Sequence, residues 1–149
     1  MRKEPLVKVP YHFPGITVLV PKQNKYDIVA IDKGYLFPNN IPIKTDYFTL
    51  IRHIANIVLL TKKDYDEGNM NPVKTFDPPI EIRVGYNFSD AMESNCDFKQ
   101  LQLAYWDGSH WVIISDPPHE YQILPPSTGQ IAEARIWSWV GDPPLAWGK

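Results

Sequence analysis

The stretch that decides the fold is Leu101–Ser115, which reads Leu-Gln-Leu-Ala-Tyr-Trp-Asp-Gly-Ser-His-Trp-Val-Ile-Ile-Ser. From Leu101 to Tyr105 every second residue is a leucine or a tyrosine, which is the period of a strand with one buried face. The pair Asp107-Gly108 suits a tight turn, because both residue types tolerate unusual backbone angles. The apolar run Trp111–Ile114 then carries the chain back. The stretch therefore predicts a β-hairpin.

Prolines divide the rest of the chain into short extended segments. The sequence has 15 prolines in 149 residues, about twice the usual share, and they include the pairs 78–79, 117–118, 125–126 and 143–144. Because proline disrupts helix interiors and the middle of sheets, this distribution favours short strands joined by stiff turns.

The remaining apolar runs predict strands through their alternation or their β-branched residues. In addition to the hairpin, the predicted strands are Ile16–Val20, Tyr26–Ile31, Ile43–Ile51, Ala55–Thr61, Ile80–Tyr86, Tyr121–Leu124 and Gln130–Val140. A helix over Tyr47–Leu60 stays open as an alternative, because short apolar runs are ambiguous. Asp64–Pro72 is predicted to be a polar loop, and Ser89–Cys96 a single helical turn capped by Ser89.

Together these segments predict an all-β fold, an antiparallel β-sandwich of eight or nine strands. A length of 149 residues suits one domain, which can bury a proper core without disulfides or metal. We therefore predict a single β-sandwich domain over residues 1–149, in which residues 141–149 form a C-terminal tail that contains two prolines and a tryptophan.

Composition and charge exclude several classes of partner. The net charge is −2 and no basic stripe is present, which argues against nucleic acid and anionic membranes. No stretch approaches the roughly 20 apolar residues of a membrane helix, so we expect no membrane span. Cys96 is the only cysteine, so no intrachain disulfide can form. A free thiol favours the cytosol over an oxidising compartment.

Several motifs together resemble one known family. An apolar strand ends in proline at Ile16–Pro21, the strand Phe76–Val84 reads Phe-Asp-Pro-Pro-Ile-Glu-Ile-Arg-Val, and an aromatic hairpin spans Leu103–Trp111. The final strand ends in Ile136–Trp139, where many relatives have His-Phe-Ser followed by an aromatic residue. In these motifs the chain resembles the β-sandwich domains of zonula occludens, netrin-receptor and ankyrin proteins. The resemblance implies a scaffold or interaction module, often without catalytic activity.

Some members of that family cleave their own backbone before the serine of the His-Phe-Ser motif, with the histidine as base. Here Trp137 and Ser138 match the last two positions, but Ile136 replaces the histidine and cannot transfer a proton. Arg135 cannot substitute for it, because its guanidinium stays charged. We therefore predict no self-cleavage.

The sequence carries no other pattern that indicates catalysis or a metal site. The four histidines are scattered without metal-ligand spacing. Residues 64–71 resemble a calcium loop, but their glycine falls one position early and Thr75 stands where the loop needs a glutamate. We predict no enzyme activity, no cofactor and no metal ion.

All five tryptophans lie in the last third of the chain. By strand alternation Trp137 and Trp139 share the face of Arg135, which predicts an exposed aromatic strip. We assign binding to Trp137, Trp139 and Trp147, with Arg135 as a polar anchor. The alternative is that residues 142–149 fold back as a strap and cover Trp137 and Trp139.

An exposed aromatic strip beside an arginine is typical of a protein-docking patch. We therefore predict a non-catalytic interaction module that binds another protein within a larger regulatory or surface assembly. Two alternatives stay open. One is a carbohydrate-binding module whose tryptophans stack on the rings of an oligosaccharide. The other is a regulatory subunit that a partner protease cleaves in the exposed loop at residues 64–71.

Overall fold

The structure is a computed structural model that describes residues 8–22, 27–33, 41–93, 97–114, 119–125, 129–139 and 144–149. Within these ranges the chain forms ten β-strands and two short α-helices. The strands are β1 (Lys8–Phe13), β2 (Ile16–Pro21), β3 (Ile28–Asp32), β4 (Leu50–Thr61), β5 (Thr75–Gly85), β6 (Gln102–Trp106), β7 (Trp111–Ile113), β8 (Glu120–Ile123), β9 (Ile131–Ser138) and β10 (Pro144–Gly148). The helices are α1 (Lys62–Glu67) and α2 (Phe88–Glu93).

The strands form two antiparallel sheets of five strands each. The first sheet has the order β1-β2-β5-β9-β8, and the second has the order β3-β4-β10-β6-β7. This arrangement confirms the predicted all-β sandwich. The described residues hold ten strands rather than eight or nine, because β1 and β10 were not expected, while β4 contains the predicted strand Ala55–Thr61 and only the last two residues of the predicted strand Ile43–Ile51.

A continuous apolar core lies between the two sheets. Alternate residues of the central strands point into it, which is the pattern of strands that bury one face. The core residues with the least exposure include Val18, Ile57, Leu59, Ile80, Ile82, Val84, Leu103, Ile136, Leu145 and Trp147. Because both sheets contribute to one core, neither sheet could retain its buried face without the other.

The C-terminal residues were expected to form a tail, and this expectation is wrong for residues 144–148. They form β10, which lies between β4 and β6 in the middle of the second sheet. Leu145 and Trp147 point into the core and Ala146 points to the opposite face. Pro144 is tolerated because it is the first residue of the strand, where proline is permitted.

Residues 41–49, which we name the cover segment, were predicted to begin a strand at Ile43. They instead form a turn in which the backbone N–H of Thr45 donates to the carbonyl of Phe48 at 2.8 Å. The Thr45 hydroxyl oxygen accepts a second bond from the Phe48 N–H at 3.1 Å. This hydroxyl-capped turn competes with the sheet, so the regular strand β4 begins only at Leu50.

The cover segment packs on the outer face of the second sheet. Phe48 and Trp111 lie with ring centroids 4.7 Å apart, and Trp106 meets Trp111 edge to face at 5.6 Å. The indole N–H of Trp111 donates to the Pro42 carbonyl at 3.1 Å. The cover segment therefore occupies the outer face of the second sheet around the hairpin, and its own side chains Ile43 and Tyr47 are exposed.

The helical predictions are partly corrected. Residues 50–61 are strand, so the alternative helix over Tyr47–Leu60 is wrong. The predicted loop at 64–72 begins inside α1, whose cap is the Thr61 side chain. The helical turn predicted near Ser89 is α2, but Asn87 rather than Ser89 caps it through a bond from the Asp90 N–H at 2.8 Å. Residues 94–96 of that prediction, with Cys96, lie outside the described residues.

Candidate functional site

The tryptophans assigned to binding do not share one exposed strip. Trp137 is 38% exposed, whereas Trp139 is 3% and Trp147 is 0% exposed. The expectation that Trp139 and Trp147 present their rings to a partner is therefore wrong. Arg135 and Trp137 are both exposed and lie two residues apart in β9, as the alternation predicted.

Trp139 turns inward because the strand has ended. β9 stops at Ser138, beyond the irregularity in its pairing with β5 between Thr75 and Ile80, and the Trp139 N–H donates to the carbonyl of Lys74 at 3.0 Å. Its ring packs edge to face on Phe76 at a centroid distance of 5.9 Å. The alternation that places Trp137 outside does not extend past the end of the strand.

Trp147 is part of the core between the sheets. Its indole N–H donates to the Gly85 carbonyl in the opposite sheet at 2.9 Å, and its ring meets Tyr86 edge to face at 6.4 Å. The strap alternative is also wrong for residues 144–148, because these residues lie in the second sheet.

The exposed residues Arg135 and Trp137 lie on the outer face of the first sheet. We name the outward residues Glu81, Arg83, Glu133, Arg135 and Trp137 of β5 and β9 the open face; Glu81 is largely buried, and the other four are exposed or half-buried. Glu81 lies directly opposite Arg135 in the ladder, and Arg83 lies opposite Glu133. Cross-strand neighbours on one face are about 5 Å apart at Cβ, so these residues form one continuous charged surface.

Ion pairs link the charged residues of the open face to one another and to residues of β1 and β8. Lys8 Nζ lies 2.6 Å from Glu81 Oε2, and Arg135 Nη1 lies 3.4 Å from Glu120 Oε2. Arg83 Nε lies 3.9 Å from Glu81 and 3.7 Å from Glu133. The exposed pairs of Arg135 with Glu120 and of Arg83 with Glu133 contribute about 0–1 kcal/mol each, so an incoming partner could exchange them at little cost. The pair of Lys8 with Glu81 is not of this kind, because Glu81 is largely buried.

A shallow cleft of about 320 Å³ opens on this face beside β8. Most of its lining is polar, and the side chains that define it are Glu81, Glu120, Gln122, Glu133 and Arg135. Trp137 follows Arg135 on the same face of β9. The cleft therefore offers hydrogen-bond acceptors, an arginine and an adjacent aromatic ring.

Two titratable groups near β8 stay uncharged at neutral pH. Burial raises the pKa of the Tyr121 hydroxyl, with a smaller contribution from Tyr86. Burial lowers the pKa of His119 below its usual value of 6.5. The charge of the open face at pH 7 therefore comes from its glutamates and its basic side chains.

The described residues contain no group of three His, Cys, Asp or Glu side chains that could hold a metal ion. They also contain no helix long and apolar enough to cross a membrane. Residues 64–71, in which cleavage by a partner protease was considered, lie in α1 and in the turn that follows it, and all of them except the half-buried Asp64 are exposed. Ile136, which stands where the family that the sequence resembles has its histidine, is fully buried.

Sequence reasoning missed the contribution of Glu81, Arg83 and Glu120 to the candidate site. The alternation of Glu81 and Arg83 with apolar residues did indicate an outward face of β5. What the sequence lacked was the pairing of β5 with β9, two strands that lie some 50 positions apart. The signal that could have linked the two strands is the alternation of acidic and basic residues on their outward faces, Glu81 with Arg83 on one and Glu133 with Arg135 on the other.

Comparisons with protein-family models, curated proteins and solved structures find no match for this chain. The fold and the open face therefore define the protein only as an all-β sandwich in which the described residues leave the charged outer face of the first sheet uncovered.

Proposed function

We propose that this protein is a non-catalytic interaction module that docks another protein through the open face. The observation that carries the proposal is that Arg135 and Trp137 stand exposed side by side on β9. Tryptophan and arginine dominate the binding energy of protein interfaces. The outer face of the other sheet supports the same choice, because the cover segment occupies it around Trp111.

We also propose that this protein is related to the β-sandwich domains of zonula occludens, netrin-receptor and ankyrin proteins. The antiparallel sandwich and the positions of β2, β5 and the aromatic hairpin support it. The isoleucine at position 136 supports a non-cleaving member, because its side chain offers no base.

The test is capture of partners from source lysate by the tagged chain. Trp137→Ala is expected to weaken capture of a stoichiometric protein partner about 30-fold, the effect of a hot-spot residue near 2 kcal/mol. Arg135→Ala is expected to weaken it in the same direction. Tyr65→Ala is the matched control, because Tyr65 is an exposed aromatic residue on α1, away from the open face.

Equal capture by wild type, Trp137→Ala and Tyr65→Ala would contradict docking through this face. Circular dichroism of each variant ensures that a loss of capture does not reflect unfolding. Because Trp137 contributes only part of its surface to the fold, its removal is expected to leave the spectrum unchanged.

A carbohydrate-binding module is the second candidate, and the polar cleft beside Trp137 is the observation that favours it. Carboxylates and arginine can bond to sugar hydroxyls while an aromatic ring stacks on the pyranose face. Titration with oligosaccharides would then change tryptophan fluorescence, and both Trp137→Ala and Glu133→Gln would abolish the change. An unchanged spectrum across a broad glycan panel would remove this candidate.

A further inference from the structure

The charge pattern of the open face indicates which partner it fits. We propose that this face binds a second copy of the same chain, in a two-fold symmetric dimer with the two open faces in contact. This inference rests on the proposed function, because it names the protein that docks on that face.

The four charged residues at the centre of the open face alternate in both directions. Along β5, Glu81 is followed on the same face by Arg83. Along β9, Glu133 is followed by Arg135. Across the ladder Glu81 pairs with Arg135 and Arg83 pairs with Glu133. The face is therefore a two-by-two checkerboard of charge.

Such a checkerboard is complementary to itself. In the proposed dimer the two-fold axis lies between the two facing sheets. It runs parallel to the strands and passes midway between β5 and β9. Each residue of β5 then faces the residue of the second copy that is its own ladder neighbour. Arg83 meets the second copy's Glu133, and this exposed pair carries the attraction. Arg135 lies over the second copy's Glu81, whose side chain is largely buried and already pairs with Lys8. Because the contact is isologous, every attraction occurs twice.

The same axis gives the exposed tryptophan an apolar contact. Ile80 pairs with Ile136, and the next pair is Thr75 with Ser138 across an irregularity. Pro79 directly precedes Ile80 on the neighbouring strand, at the start of this irregularity, and is partly exposed. In the dimer each Trp137 ring would lie over the end of the second copy's β5 that carries Pro79, and both rings would lie at the same end of the charged centre, one on each side of the axis.

The size of the face indicates a weak, salt-sensitive dimer. Five strands spaced about 4.8 Å apart and about six residues long cover roughly 480 Å², so two copies would bury about 1,000 Å². This area is at the lower limit of specific interfaces. Attraction between exposed charges is screened at high ionic strength, so association is expected at low salt and loss of association at high salt.

Sedimentation velocity of the full chain over a concentration series tests the proposal. The wild type is expected to dimerise at about 50 mM NaCl and to be largely monomeric at about 500 mM, because the Debye length shortens. Glu133→Arg places an arginine opposite the second copy's Arg83 twice, and is expected to weaken the dimer at least tenfold. The double variant Arg83→Glu/Glu133→Arg restores opposite charges across the axis and is expected to restore dimerisation.

Glu67→Arg is the matched control, because it makes the same charge change at an exposed position on α1. A wild type that is monomeric at low salt would overturn the second copy as partner, and this measurement needs no variant to fold. A dimer that Glu133→Arg leaves unchanged would overturn it as well. The tagged chain could still capture a different protein and lose it on Trp137→Ala. In that case the docking function stands, and only the choice of a second copy as the partner is wrong.

Discussion

Replacing Trp147 by alanine is expected to lower the free energy of unfolding by about 3–5 kcal/mol, the range for truncating a buried aromatic side chain. The Trp147 ring is fully buried between the sheets, and its indole N–H is bonded to the Gly85 carbonyl of the opposite sheet. The substitution therefore leaves a large cavity and a carbonyl that has lost a donor. Urea unfolding followed by circular dichroism measures the effect.

Trp137→Ala is the matched control for this prediction. The two residues are of the same type, but Trp137 is 38% exposed, so its removal is expected to cost no more than about 1 kcal/mol. Similar losses of stability for both variants would contradict the assignment of Trp147 to the core and of Trp137 to the surface.

Gly148→Ala is expected to destabilise the protein by about 2–3 kcal/mol, although it adds a single methyl group. A Cβ atom at this position would overlap the ring of Phe48 and lie 2.6 Å from the carbonyl oxygen of Thr49. Phe48 cannot move away easily, because it is buried against Trp111. The end of β10 and the cover segment would therefore be forced apart, which thermal and urea unfolding would report.

Gly85→Ala provides the comparison for Gly148→Ala. The nearest atom to a Cβ at position 85 is the Gly15 carbonyl oxygen at 3.9 Å, an ordinary contact distance. This variant is expected to stay within about 0.5 kcal/mol of wild type. A destabilisation equal to that of Gly148→Ala would mean that loss of a glycine, rather than the clash with Phe48, is the cause.

The elements with a clear local pattern could be predicted from the sequence. The hairpin is present as β6 and β7, with Leu103 and Tyr105 in the core and Gly108 at a φ of 103° in the turn. The alternation of Ile80, Ile82 and Val84 likewise identified β5 and its buried face. In each case the burial of one face imposes a period of two on the residues themselves.

β10 could not be predicted, because its local signal is weak. Five residues between prolines and the C-terminus are typical of a tail, and their position in the sheet depends on pairing with β4 and β6. These partners lie about 40 to 95 positions away in the chain. Local propensity carries no information about such distant contacts.

The candidate site was predicted in part. Arg135 and Trp137 were correctly placed on an outward face, because β9 is regular through Ser138. Trp139 was wrongly placed with them, because the alternation was extended past the end of the strand. Trp147 was wrongly placed because an unpaired tail was assumed where the chain completes a sheet. Which of the four candidate residues are exposed therefore depends on where β9 ends and on which strands β10 pairs with.

Amide hydrogen exchange in residues 145–148 tests the central structural claim most directly. The burial of this segment removes Trp147 from the proposed binding residues and leaves Arg135 and Trp137 as the exposed ones. If β10 lies between β4 and β6, these amides are expected to exchange as slowly as those of β4, because central strands open only with global unfolding. Exchange within seconds, as at a frayed terminus, would show that the segment is a loose tail and would contradict the account.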